Sequence, residues 1–396
     1  LAAAKASFLL YGWVEMEGVE IIIGGIEAIA GITGEWIKLC EEGASNEPFF
    51  RPEWFSAFVN NFEKKVELVT VRHKGRLRAV LPLVKKRGGL NGIPVTKLQA
   101  LSNLNTQRFD LVHGADDSER KRITSAVWNA IKGHPGGWDV LEVRLVDEES
   151  WFRDVLDLAA KENYPTGIWQ MDSAPYIALP RSGNKEELIE NYFTGPRKHL
   201  KQELNRRLRR LREMGTVEFV TTSGCSPAQL QTYLDLEAKG WKGRGGTALA
   251  NDPCVVRMHE EFVREVTAKK GLRVYELKLD GQAIAMILNI NCGNKTIHWK
   301  TSYDEDYSKY SPGNILFREL LSDSVRNDSS EIDFMSPVTP NKKAWASDER
   351  RHVAFYIFRR GLWGSLLRTW KFGVMGRLRE FKTVGRAKML PAFTRR

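Results

Sequence analysis

The chain has 396 residues, with 60 Lys+Arg against 49 Asp+Glu and 42% hydrophobic residues. That length exceeds one ordinary domain and suits two, and the apolar fraction excludes wholesale disorder. The net charge of +11 is uneven: residues 197–212 hold eight basic residues and one acid, residues 350–396 hold thirteen and one, and the rest is slightly acidic. This excludes a protein that coats a polyanion with its whole surface.

Taken in order, residues 1–13 hold one Lys and a short apolar piece without a cleavage site, which reads as a ragged or mis-started terminus rather than a signal peptide. The longest apolar run, 19–32, is interrupted by Glu20 and Glu27. It falls short of the roughly eighteen apolar residues of a membrane span. Cys40, Cys225, Cys254 and Cys292 lie far apart, so no disulfide framework is expected and a reducing compartment follows. A hairpin is predicted from 66–72, Lys74-Gly75 and 77–84, followed by a strand near 109–112, a helix at 122–131 and a strand at 139–145. The same order returns with 272–279, Asp280-Gly281 and 283–290, then a strand at 296–302, a helix at 314–325 and a strand at 331–334. In both hairpins a glycine supplies the positive-φ turn position. Two copies of hairpin, strand, helix and strand predict duplicated αβ domains. Pro175, Pro180, Ser182 and Gly183 place the boundary between them. The expected division is an N-terminal extension with a first helix at 1–47, domains at 48–180 and 181–360, and a basic amphipathic tail at 361–396. A helix across 197–214 carries Leu200, Leu204, Leu208 and Leu211 as one narrow apolar stripe among arginines, with Gly215 as its terminator.

Two constellations carry chemistry. The first is residues 302–314, between a strand and a helix. Ser311 is expected to cap the helix, Pro312 suits its first position, and Gly313 admits a close backbone. Such a helix start suits a phosphate or pyrophosphate; an ordinary capped helix has the same sequence pattern. The second is Leu230, Tyr233, Leu234, Glu237 and Trp241, followed by Lys242-Gly243-Arg244-Gly245-Gly246. Helical spacing puts Glu237 on an apolar stripe. Burial there is expected to raise its pKa, as a general base requires, while a Glu paired with a basic neighbour is the structural alternative. The glycine-rich run reads either as an anion-hugging loop or as a flexible connection.

These segments resemble the CelD-like (BioF2-like) acetyltransferase-domain family of the GNAT superfamily, relatives of the Fem peptidoglycan aminoacyl transferases. The resemblance rests on Arg197-Lys198-His199-Leu200, the run from Arg206 to Leu211, Leu236-Glu237 with Trp241-Lys242-Gly243-Arg244, Leu279 to Ala285, and Tyr303-Asp304-Glu305 with Tyr310-Ser311-Pro312-Gly313. It is similar in order and spacing over 184–334, and looser from Pro48-Phe49 and Trp54 through Ala79 to Leu83. The resemblance implies an α/β (α+β) fold of tandem GNAT-like domains, each a mixed, mostly antiparallel sheet flanked by helices. It implies acetyl-CoA or another acyl-CoA as donor and no metal. The pantetheine would follow a splayed strand at Ile297, His298, Trp299, Lys300 and Thr301, and the pyrophosphate would sit at Ser311, Gly313, Asn314 and Ile315. A neutral amine would attack the thioester directly, with Glu237 or Asp304 as base and Tyr303 or Tyr310 as acid. Arg197 and His199, with Trp241 and Lys242, would meet the substrate. The superfamily's glycine-rich phosphate loop is absent, since Lys309-Tyr310-Ser311-Pro312-Gly313 stands in its place. The implied enzyme is a cytoplasmic N-acetyltransferase acting on an amino group of a saccharide or other cell-envelope precursor. A Fem-like transferase using aminoacyl-tRNA and a non-catalytic component of polysaccharide machinery are the alternatives.

The seven histidines form no metal-ligand pair, and His298 reads as structural. The arginine helix reads first as a solvated face between the domains, then as a contact for a phosphate-bearing substrate, then as a tRNA surface; it has no aromatics for base stacking. In the tail, Leu362, Trp363, Leu366, Leu367, Trp370, Val374, Leu378 and Phe381 alternate with basic residues at helical spacing. The pattern fits either a docked terminal helix or a segment on an anionic membrane surface, which would place the protein at the inner face of the membrane.

Overall fold

The computed structural model describes residues 10–16, 18–43, 46–63, 65–114 and 116–375. The chain folds as two compact units, one of residues 1–45, 65–171 and 352–396, the other of 46–64 and 172–351. These units interleave along the chain, where a single cut between residues 180 and 181 was expected. The described part of the expected N-terminal extension belongs to the first unit: the strands Leu10–Met16 and Val19–Gly24 join its sheet through Val66–His73. The strand His352–Phe358 also belongs there, between Val140–Asp147 and Thr166–Gln170. Its seven residues are all buried, so both of its faces and both of its edges are covered. Conversely, the helix Pro52–Asn61 packs in the second unit, where Trp54 meets Phe262 edge-on with ring centroids 5.0 Å apart.

The duplicated pattern is real in pairing as well as in order. Lys74 and Gly75, and Asp280 and Gly281, all take positive φ, the geometry of a two-residue hairpin turn. In the first unit Arg76–Leu90 pairs next with Ile93–Ala100, which runs parallel to Val140–Asp147 at Lys97, Leu98 and Gln99. In the second, Gln282–Cys292 pairs with Lys295–Tyr303, which runs parallel to Glu331–Asp333. The strand that follows the hairpin in the first copy of the pattern is thus Ile93–Ala100. The stretch expected near 109–112 contributes only Val112–His113. Both sheets are mixed and mostly antiparallel, with helices against them.

The arginine-rich helix is Lys198–Arg212, and Leu204, Leu208 and Leu211 are buried in the second unit's core with Leu316, Leu320 and Leu321. Each such leucine contributes roughly 1.5–3 kcal/mol. Gly215 does not act as a left-handed terminator. A Cβ there would lie 2.2 Å from the Asp280 carboxylate, which accepts the Thr216 N–H at 2.8 Å. The glycine leaves room for that carboxylate at the hairpin turn. Among the described residues no helix is long and apolar enough to cross a membrane.

Candidate active site

The strand Lys295–Tyr303 is held differently along its two edges. Toward Gln282–Cys292 it is paired almost throughout, with Trp299 as an extra residue between the pairs Leu288–Lys300 and Asn289–His298. Toward Glu331–Asp333 the parallel pairing stops at Ile297. Beyond Asp333 the chain turns away: Met335 adopts φ +51, and the Asp333 carboxylate accepts the Met335 N–H at 2.7 Å. A bulge and an early end to pairing leave a splay beside residues 298–303. Beyond Ile297 that edge has no strand partner among the described residues.

Only the backbone is available at several of the expected donor positions. Ile297 and Trp299 are buried, and the Trp299 ring packs on His259 and Phe262. The His298 Nε2 bonds the Thr301 hydroxyl at 2.6 Å, and its ring meets Phe317 and Phe334. Burial, with the charge of Lys342, pushes its pKa down to about 3, so the ring is neutral.

The helix Pro312–Arg326 begins at the far end of that strand. Its Pro is at the first position, as expected, but Ser311 makes no side-chain cap. Ser311 is left-handed at φ +51, and its hydroxyl instead accepts from the Arg207 guanidinium. A cation therefore stands at the positive end of this helix, a combination that favours an anion. Gly313 is not forced by crowding, since a Cβ there would lie 3.6 Å from Tyr303 and 3.7 Å from Thr301. The Asn314 side chain is engaged with Asn341 and Trp345, and Ile315 is core. Arg207 was hidden in the sequence among eight similar basic residues.

The structure brings the two chemical constellations together. Glu237, Trp241 and Lys242 line a pocket of about 60 Å³ with Thr301, Ser302, Tyr303 and Glu305. Trp241–Arg244 is a helical turn rather than a loose loop. Gly243 makes it possible, because a Cβ there would lie 1.8 Å from the Ala238 carbonyl oxygen. The turn delivers the Lys242 ammonium to Glu237 Oε1 at 2.6 Å. Tyr233 donates to the same oxygen at 3.1 Å, and the Leu249 N–H donates to Oε2 at 2.7 Å. Burial alone would raise the pKa of Glu237, but Lys242 and the Leu249 N–H outweigh it, and the value is lowered. The expected raised pKa is thus reversed: Glu237 is an ionised carboxylate with three acceptor positions in use. The Tyr303 hydroxyl, by contrast, has no hydrogen-bond partner among the described residues.

Two lysines add positive charge nearby. Lys300 is desolvated and repelled by Lys242, against the pull of Glu237, and its pKa falls to about 8. Lys342 falls to about 8 for the same first two reasons. No local pattern marked Lys342, which comes from the helix Pro340–Trp345.

The other expected residues lie outside this pocket. Asp304 accepts the Asp306 N–H at 3.0 Å and caps the short turn after the strand. Tyr310 packs on the core, with the Lys309 ammonium 5.0 Å from its ring centroid. Arg197 stacks on Tyr192 at 4.6 Å and donates to the Ala346 carbonyl at 2.8 Å, so it ties structure together instead of joining Lys242. His199 is exposed on its helix. Among the described residues no group of three His, Cys, Asp or Glu is placed to hold a metal.

Residues 198–343 match the family model for the acetyltransferase (GNAT) domain, so the second unit carries a domain of that fold. No curated protein matches the chain's sequence significantly. Among solved structures, FemX aligns with a TM-score of 0.56 and 10% identity, covering 83% of this chain and 96% of its own. The C-terminal DUF2156 domain of a protein from Agrobacterium fabrum, named as a lysylphosphatidylglycerol synthetase, aligns with a TM-score of 0.53 and 12% identity, covering 90% and 96%. These likenesses concern the fold.

Proposed function

We propose that the second unit transfers an acyl group from an acyl-CoA, acetyl-CoA first, to an amine carried by a saccharide or other cell-envelope precursor. The observation that carries this reading is the splay beside residues 298–303, which opens between the Arg207-marked helix start and the Glu237–Tyr303 pocket. The donor's pantetheine follows the unpaired strand edge, and its phosphates meet the helix start and Arg207. A backbone N–H of the strand polarises the thioester carbonyl. The amine attacks that carbon, the C–N bond forms, and collapse of the tetrahedral intermediate breaks the C–S bond. Ionised Glu237, nearly closed to solvent, accepts the amine's proton through a water that enters the pocket, and Tyr303 gives its proton to the leaving thiolate.

The exposed guanidinium groups of Arg206, Arg209, Arg210 and Arg212 on the arginine helix favour a second reading, an aminoacyl transferase that binds aminoacyl-tRNA as donor. A thiol-release assay with acetyl-CoA and a panel of amino sugars separates the two. Release that depends on the amine supports the first reading. No release, with salt-sensitive binding of tRNA, replaces it with the second.

A further inference from the structure

The helix Leu362–Arg368, continued by Thr369–Val374, is docked on the first unit by one face. Leu367 is buried among Val140, Tyr356 and Phe358. A Cβ on Gly364 would lie 1.7 Å from the Arg359 carbonyl oxygen. Arg368 Nε donates to the Thr166 carbonyl at 2.7 Å, and Trp370 Nε1 to that of Asn91 at 3.2 Å. A helix fixed this way should show a polar outer face. Here the outer side chains are Leu362, Trp363 and Leu366, which are 86%, 42% and 62% exposed, followed by Val374 at 43%. The flanking sequence is strongly basic. Residues 351–375 contain no Asp or Glu, and the sequence from 376 to 396 adds seven basic residues against one acid.

We propose that this ridge docks on an anionic lipid surface. Apolar and tryptophan side chains would enter the headgroup boundary while basic flanks meet anionic lipid, the two signals that reversible membrane binding requires. A second copy of the chain fits poorly, because a symmetric contact would set Arg359, Arg360 and Arg368 against themselves. Arg359 and Arg360 also line a pocket of about 450 Å³ with Lys132, Trp138 and Tyr164. Lys132 and Arg359 are paired with Glu162 and Asp139, and the charge of Arg360 also acts on Glu162 without closing an ion pair to it. A lipid phosphate is the anion that this pocket and the adjacent ridge accommodate together.

The test is co-sedimentation of the full chain with phosphatidylcholine vesicles, with and without phosphatidylglycerol. Binding should need phosphatidylglycerol and weaken with salt. It should fall roughly tenfold or more in the Leu362→Asp/Leu366→Asp variant and also fall in Arg360→Glu. Leu104→Asp, at another exposed leucine of the same unit, should bind as the parent does. Unchanged thermal melts verify that the variants fold, since the altered leucines are exposed. No pelleting, equal pelleting with neutral vesicles, or a sedimentation-velocity dimer that the leucine variants dissociate would each overturn the proposal.

Discussion

The Lys242 ammonium donates to Glu237 Oε1 at 2.6 Å, across a helical turn that only a glycine at position 243 permits. The carboxylate is nearly inaccessible while its lysine partner is partly open. Removing the charge leaves Lys242 beside two other lysines without its acid. Glu237→Gln is expected to lower stability by about 1–3 kcal/mol, discounted from a fully buried pair because Lys242 meets solvent. The folded pKa of Glu237 lies below its ordinary 4.5. Its contribution is therefore complete above that value and lost as pH falls through the lowered one. Urea unfolding of parent and variant from pH 7 down to pH 3 checks this: their curves should converge in acid. A constant gap across that range would contradict it.

Tyr303 offers a cleaner separation of chemistry from folding. Its hydroxyl has no partner among the described residues, so Tyr303→Phe should change stability by less than about 1 kcal/mol. As the acid that meets the thiolate, it should lower kcat by about tenfold to a hundredfold with little change in KM. Steady-state kinetics alongside a thermal melt read both quantities. Unchanged kcat removes Tyr303 from the proposed mechanism.

Lys300 is held at a cost. Its folded pKa of about 8 lies below the ordinary 10.5, so its charged form is disfavoured by folding. That penalty is complete below about pH 8 and is relieved as pH rises toward 10.5. Lys300→Met should therefore stabilise the protein at pH 7 by roughly 1–3 kcal/mol, and the gain should shrink above pH 10. Thermal melts at both pH values test the sign. A variant less stable at pH 7 would contradict the account.

What the sequence revealed depended on how local the signal was. The hairpins at Lys74-Gly75 and Asp280-Gly281 were legible because turn residues and flanking strands adjoin. Asn91-Gly92 carries the same signal, with φ of 49 and 94, and reading it would have found the strand Ile93–Ala100. The strand His352–Phe358 is apolar throughout after its first residue, but its partners lie some two hundred residues earlier in the chain, beyond any local pattern. At the site, the apolar stripe correctly buried Glu237. The sequence offered a basic neighbour as the alternative to a raised pKa, and that alternative holds; it could not show that the Leu249 N–H would join the Lys242 ammonium in lowering the value. Ser311 likewise read as a cap, because the Arg207 guanidinium that takes its hydroxyl comes from another helix.

The splayed strand and the helix start beside Arg207 are proposed to receive an acyl-CoA. Calorimetric titration of the full chain with acetyl-CoA tests it most directly. One saturable site per chain is expected, weakened about tenfold and made less salt-dependent by Arg207→Met. A folded protein with no saturable binding up to about 1 mM acetyl-CoA, or binding indifferent to Arg207→Met, would contradict it.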